Sequence, residues 1–141
     1  MPKINNVVGR QVFDSRGNPT VEAEVFLDGN ISASAISPSG ASTGAFEAYE
    51  LRDANQENFL GKSVNKAVEN INKKVAKKLK GLDSEDQSKI DKALLDLDGT
   101  ENKKNLGANA ILAVSLANLK STAQSLKKPL YKHLGKSFSL P

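Results

Sequence analysis

The feature of this 141-residue chain that most constrains its fold is a change of hydrophobic period near Ser37. Upstream, Thr20-Val21-Glu22-Ala23-Glu24-Val25-Phe26-Leu27 is apolar at 21, 23, 25 and 27 and acidic at 22 and 24. That period of two belongs to a half-buried antiparallel strand. Ile4 to Phe13 is noisier but carries Val7, Val8, Val12 and Phe13, and reads as a strand as well. Asp28-Gly29-Asn30 is a tight hairpin signal, and Ile31 to Ile36 supplies a third strand. Residues 1–37 are therefore expected to form a three-stranded antiparallel meander.

Downstream the spacing turns helical. Val64, Ala67, Val68, Ile71, Val75 and Leu79 recur at three- and four-residue steps and define one apolar stripe that ends near Gly81. Ser84 with Gln87 has capping-box spacing and is expected to open a second helix carrying Ile90, Leu94 and Leu97, stopped by Asp98-Gly99. From Ala108 to about Leu126 a third helix is apolar almost all round, which places it at the centre of the domain. Pro129 suits the first position of a short last helix, Leu130 to Leu134. Strands followed by helices argue α+β: a meander followed by a helical bundle, one domain over 1–141.

Composition removes several function classes. There is no Cys, which excludes disulfide scaffolds, Cys-ligated zinc, iron–sulfur clusters and thiol catalysis, and the single His133 excludes a His-rich metal site. No apolar run approaches the ~20 residues of a membrane span, and Met1-Pro2-Lys3 opens no signal peptide, so a soluble, cytoplasmic protein is expected. The formal charge of +4 is mild and the 5% aromatic residues are scattered, so no nucleic-acid partner is expected.

The stretch Pro38-Ser39-Gly40-Ala41-Ser42-Thr43-Gly44 is small, hydroxyl-rich and bounded by glycine, and reads as an exposed, mobile loop. Its glycines would let backbone approach a ligand, and Ser39, Ser42 and Thr43 offer oxygens to Mg²⁺ or donors to phosphate. It matches neither a Walker pattern nor a dinucleotide fingerprint, so a plain surface loop fits it as well. Residues 45–62 read as irregular connection, with a helical turn around Glu47 to Leu51. Glu22 and Glu24 lie roughly 7 Å apart on one strand face, as an acid–base or metal pair or as a solvated face. Glu47, Glu50, Arg52 and Asp53 read either as such a cluster or as a salt-bridged turn. Lys62, Lys66, Lys73, Lys74, Lys77, Lys78 and Lys80 line one side of the first helix, as a solvated face or as a surface for anionic partners. His133 has no triad partner and suits a surface or capping role, and the sequon Asn30-Ile31-Ser32 carries no weight in a chain without a secretory signal.

Several stretches together are more specific than any one. Asp14-Ser15-Arg16-Gly17-Asn18-Pro19-Thr20-Val21-Glu22 is followed by Pro38 to Gly44, then by Glu47-Ala48, Glu50-Leu51-Arg52-Asp53 and Leu97-Asp98-Gly99-Thr100. Leu106-Gly107-Ala108-Asn109-Ala110-Ile111-Leu112-Ala113-Val114-Ser115-Leu116-Ala117 and Pro129-Leu130-Tyr131-Lys132-His133-Leu134-Gly135 complete the series. In this order and spacing they resemble the N-terminal domain of enolase (phosphopyruvate hydratase) over essentially the whole chain.

The resemblance implies an α+β capping domain ahead of an eightfold α/β barrel. It implies a Mg²⁺-dependent lyase that reversibly dehydrates 2-phosphoglycerate to phosphoenolpyruvate in glycolysis. Ser42 matches the loop serine that binds a second Mg²⁺ on closure, and Gly40 and Ala41 match the lid positions over the substrate. Arg10 and Glu22 match strand positions that contact the barrel of a second subunit in a dimer. The family's metal carboxylates, base lysine, acid glutamate and phosphate-binding arginine fall in the barrel, and none has a counterpart in these residues. The chain is therefore expected to be the cap without its barrel, with no catalytic residue of its own and no activity alone. The alternative is a stand-alone enolase-like cap acting as a partner-binding module. Asn118-Leu119-Lys120-Ser121-Thr122 departs from the family's alanine-rich helix, at positions to which the resemblance assigns no chemistry.

Overall fold

The strand alternation becomes a three-stranded antiparallel sheet in the order β1-β2-β3, with β1 Ile4–Phe13, β2 Pro19–Leu27 and β3 Ile31–Ile36. A computed structural model describes residues 2–37, 50–53 and 63–134. Val7 faces Val25, Gly9 faces Ala23 and Arg10 faces Glu22 across the first pair, while Glu22 faces Ile36 and Val25 faces Ala33 across the second. This register puts Val7, Val21, Ala23, Val25, Leu27 and Ala35 into the core on one face. Glu22, Glu24 and Ile36 stand on the other.

The expected helices follow: α1 Asn65–Asn70, a π-helical stretch Ile71–Val75, α2 Ala76–Leu79, α3 Gln87–Asp98, α4 Ala108–Ser125 and α5 Leu130–Leu134. The first three run without a break, and the π-stretch is the departure from the plain helix that the spacing predicts. Its cause lies in the spacing itself. Ala67, Ile71, Val75 and Leu79, all buried, repeat strictly every four residues. On a 3.6-residue helix such a row drifts by about 40° per step. One widened turn, with bonds reaching i→i+5, sets the row back over β1.

Gly9 shows how close that approach is. A Cβ added there would sit 2.9 Å from Ile71 Cβ. The next residue, Asn72, takes the free backbone groups of the edge strand: Gly9 N–H donates to its Oδ1 at 2.8 Å and its Nδ2 donates to Gly9 O at 3.1 Å. One side chain thus satisfies, and blocks, part of an open sheet edge.

α4 covers β2 and β3 at the centre of the domain, as its composition predicts. Ala110, Ala113, Val114 and Ala117 are fully buried, and their small volumes let the helix lie close to the sheet. The polar residues that follow are buried too. Ser121 Oγ reaches Val25 O and Ala117 O at 2.8 Å, and Thr122 Oγ1 reaches Ser84 O at 3.0 Å and Asn118 O at 2.8 Å. Their hydroxyls bond carbonyls, so burial leaves them satisfied.

The expected capping box at Ser84 is not formed. Asp86 is the N-cap of α3, its carboxylate accepting from Lys89 N at 3.2 Å. Ser84 instead lies buried under α4, where its carbonyl accepts from Asn118 Nδ2 and Thr122 Oγ1 at 3.0 Å. Its Oγ has no partner among the described residues. Packing against α4 claims Ser84, and a carboxylate two residues later supplies a charged cap. Ile90, Leu94, Leu97 and the stop at Gly99 stand as the spacing predicts.

Candidate functional site

Gly40, Ala41 and Ser42, the lid and metal residues that the resemblance implies, lie outside the described residues, as do Ser39, Thr43 and Glu47. What the structure describes is how the chain is held on both sides of that stretch. On the strand side Ser37 is buried, its N–H bonded to Val21 O at 2.9 Å, and Thr20 Oγ1 donates to Ser37 O. On the helix side residues 50–53 are pinned at several points. Leu51 N donates to Asn109 Oδ1 at 3.2 Å, and Asn109 Nδ2 returns a bond to Leu51 O at 3.0 Å. Arg52 Nη1 reaches Pro19 O at 3.0 Å, while Nη2 pairs with Glu50. The carboxylate of Asp53 accepts from Asn65 N at 3.1 Å and from Lys66 N at 2.8 Å, capping α1 from a distance.

This explains part of the stretch Leu106 to Asn109. Gly107 has φ +96°, and a Cβ there would lie 2.6 Å from Leu51 Cβ and 2.5 Å from Asn109 Oδ1. Only glycine lets Leu51 and the Asn109 amide meet at the start of α4. The sequence marks neither Asn109 nor Thr20 for an individual role, and it offers Asp53 only as one of a charged cluster or salt-bridged turn. A polar side chain at the mouth of an apolar helix was the signal available for Asn109.

Two other resemblance stretches are turns set by carboxylates. Asp14 Oδ1 accepts from Arg16 N and Asn18 N at 2.9 Å, which shapes the β1–β2 connection. The Asn18 amide in particular holds the Asp14 carboxyl below its ordinary range. Asp98 is buried and accepts from Leu106 N at 2.6 Å, Thr100 N at 3.0 Å and the Thr100 hydroxyl. Burial pushes this carboxyl up, but the donors outweigh it and hold it low.

On the outer sheet face, Arg10, Glu22 and Glu24 come together. Arg10 Nη1 meets Glu22 Oε1 at 2.7 Å, Nη2 pairs with Glu24, and Ser32 Oγ donates to Glu24 Oε2 at 2.7 Å. The Glu24 pairing raises the Arg10 guanidinium, and Arg10 with Ser32 lowers the Glu24 carboxyl. The two glutamates thus form a bridged cluster around one cation. Glu50 and Arg52 form the salt-bridged turn, whereas Asp53 is a cap and Glu47 lies outside the described residues.

Among the described residues no group of three or more His, Asp or Glu is placed to hold a metal, and no helix is long and apolar enough to cross a membrane. Lys66, Lys74, Lys77, Lys78 and Lys80 are exposed, and Lys73 pairs with Glu69 at 2.8 Å. Residues 4–134 match the family model described as the N-terminal domain of enolase.

Proposed function

The chain belongs to the enolase N-terminal-domain family, and from that premise we propose that it is the cap and lid of a Mg²⁺-dependent lyase converting 2-phosphoglycerate to phosphoenolpyruvate reversibly in glycolysis. The observation that carries this reading is the family match across residues 4–134, together with the pinning of residues 37 and 50–53 on either side of the Gly40-Ala41-Ser42 stretch. Two fixed ends are what a substrate lid requires.

In this reading Mg²⁺, when bound, would supply charge stabilisation. Ser42 would be its donor within these residues, a hard oxygen suited to the ion. One hydroxyl does not hold Mg²⁺, which takes near-octahedral coordination. The remaining ligands, the base and the acid would come from the barrel, so the chain alone is inert. Arg10 and Glu22 would meet a second subunit. Because Arg10 is shared by two carboxylates, the cluster would offer that subunit excess negative charge. The reading also places the protein in the cytoplasm.

The test is an assay of the pure chain with Mg²⁺ and 2-phosphoglycerate, following phosphoenolpyruvate by its ultraviolet absorbance. No product is expected. Turnover that scales with protein and disappears with chelator would overturn the assignment of the catalytic groups to the barrel.

A further inference from the structure

A groove of about 330 Å³ lies between α2 and α3, lined by Lys78, Leu82, Lys89, Lys92, Ala93 and Asp96. Its floor is aliphatic: Leu82 and Ala93 are half-buried and packed on the core. The floor is also fixed, because Ile4 N donates to Leu82 O at 2.9 Å and Gly81 N to Ile4 O at 2.8 Å. Three exposed ammonium groups stand around it against one carboxylate. None of the three has an ion-pair partner among the described residues.

Helix electrostatics account for one of them only. Lys78 lies in the last turn of α2, where a cation is favoured. Lys89 lies in the first turn of α3, three residues after the Asp86 cap, where the positive end of the helix disfavours a cation and a Glu or Gln is the stabilising choice. The nearby carboxylates of Glu85 and Asp86 make no ion pair with its ammonium group among the described residues.

We propose that this groove docks an acidic segment of a partner protein. An aliphatic side chain of the segment rests on Leu82 and Ala93, and flanking carboxylates reach Lys78, Lys89 and Lys92. The lining favours a peptide over a nucleic acid. It holds no aromatic ring or arginine on which a base could stack, and Asp96 at the rim repels a continuous phosphate chain. A peptide can place its carboxylates to avoid Asp96, which makes that residue a filter against indiscriminate polyanion binding.

The experiment uses the whole chain and a fluorescein-labelled peptide of glutamates flanking a single leucine, read by anisotropy, with amide shifts to locate the contact. Salt-sensitive binding is expected, with shifts centred on residues 78–96. The double substitution Lys89→Glu, Lys92→Glu should weaken it about tenfold or more, equivalent to about 1.4 kcal/mol. Reversal at position 89 also suits the start of α3, so lost binding with an unchanged or raised melting temperature separates docking from unfolding. Lys103→Glu with Lys104→Glu, away from the groove, should leave the affinity alone. Absence of binding at low salt, equal loss in the distant pair, or tighter binding of oligodeoxythymidine than of the peptide would each overturn the proposal.

Discussion

The two faces of the sheet are built from the same strands and hold together by different means. Toward α4 the side chains of Val21, Ala23, Val25, Leu27 and Ala35 lose essentially all contact with water. On the opposite face the Arg10 side chain keeps 41% of its surface exposed and Glu22 and Glu24 about a fifth, and Ile36 is 48% exposed. Stability resides on the first face, where each large side chain contributes about 1.5–3 kcal/mol by burial. The second face holds its charges in register at little net gain, because screened pairs of this kind contribute about 0–1 kcal/mol. A surface that is ordered yet adds little to folding can be given over to contacts with another chain.

Substitutions that change one face at a time test this difference. Leu27→Ala on the inner face should destabilise the chain most, by about 2–5 kcal/mol, read as a lowered denaturant midpoint. An effect no larger than that of Glu24→Ala would remove the distinction between the faces.

Gly9→Ala should destabilise by about 1–3 kcal/mol, since its methyl meets Ile71 Cβ at 2.9 Å. Adding Ile71→Ala, which keeps Cβ but removes the Cγ2 and Cδ1 atoms that the new methyl would meet at 3.1 Å, should recover part of this loss in a double-mutant cycle. Strict additivity would mean that the close approach of helix and strand is not the cause.

Buried and half-exposed charges should also separate by pH. The folded pKa of Asp98 lies below its unfolded value of about 3.9. The stability it contributes is therefore complete above that value and is lost as pH falls through the folded pKa. Asp98→Asn should destabilise at neutral pH by about 1–3 kcal/mol, and the gap from the parent chain should close as the acid limb is descended. A gap independent of pH would assign the effect to packing.

Arg10→Gln should have the smallest effect, within about 1 kcal/mol and shrinking with salt. A loss as large as that of Leu27→Ala would show that the outer face is part of the core after all.

How much of this was legible in the sequence follows from the range of the forces involved. The strands, the hairpin at Asp28-Gly29-Asn30 and the centrality of α4 were legible because period and composition are local properties. The π-stretch was present as a four-residue row, but its consequence depends on which strand the row must cover. Ser84 was misassigned as a cap because its packing against Asn118 and Thr122 is decided more than thirty residues away. Likewise Gln87 Nε2 bonds Asp91 Oδ1 at 2.9 Å and reaches Ser115 on α4, so it does not return to a cap. The alternation at Glu22 and Glu24 gave the face correctly but not the bridge, since Arg10 belongs to the neighbouring strand. Gly40, Ala41 and Ser42 rest on the resemblance alone, because short hydroxyl-rich sequence carries no pattern that fixes its own ligand.

Whether this domain caps a catalytic barrel is tested by the intact mass of the native gene product in its source cell. A product heavier than 15.1 kDa by a barrel of about 250 residues is expected. A native product of 15.1 kDa would contradict it, leaving a free-standing cap whose role is to be sought in what it binds.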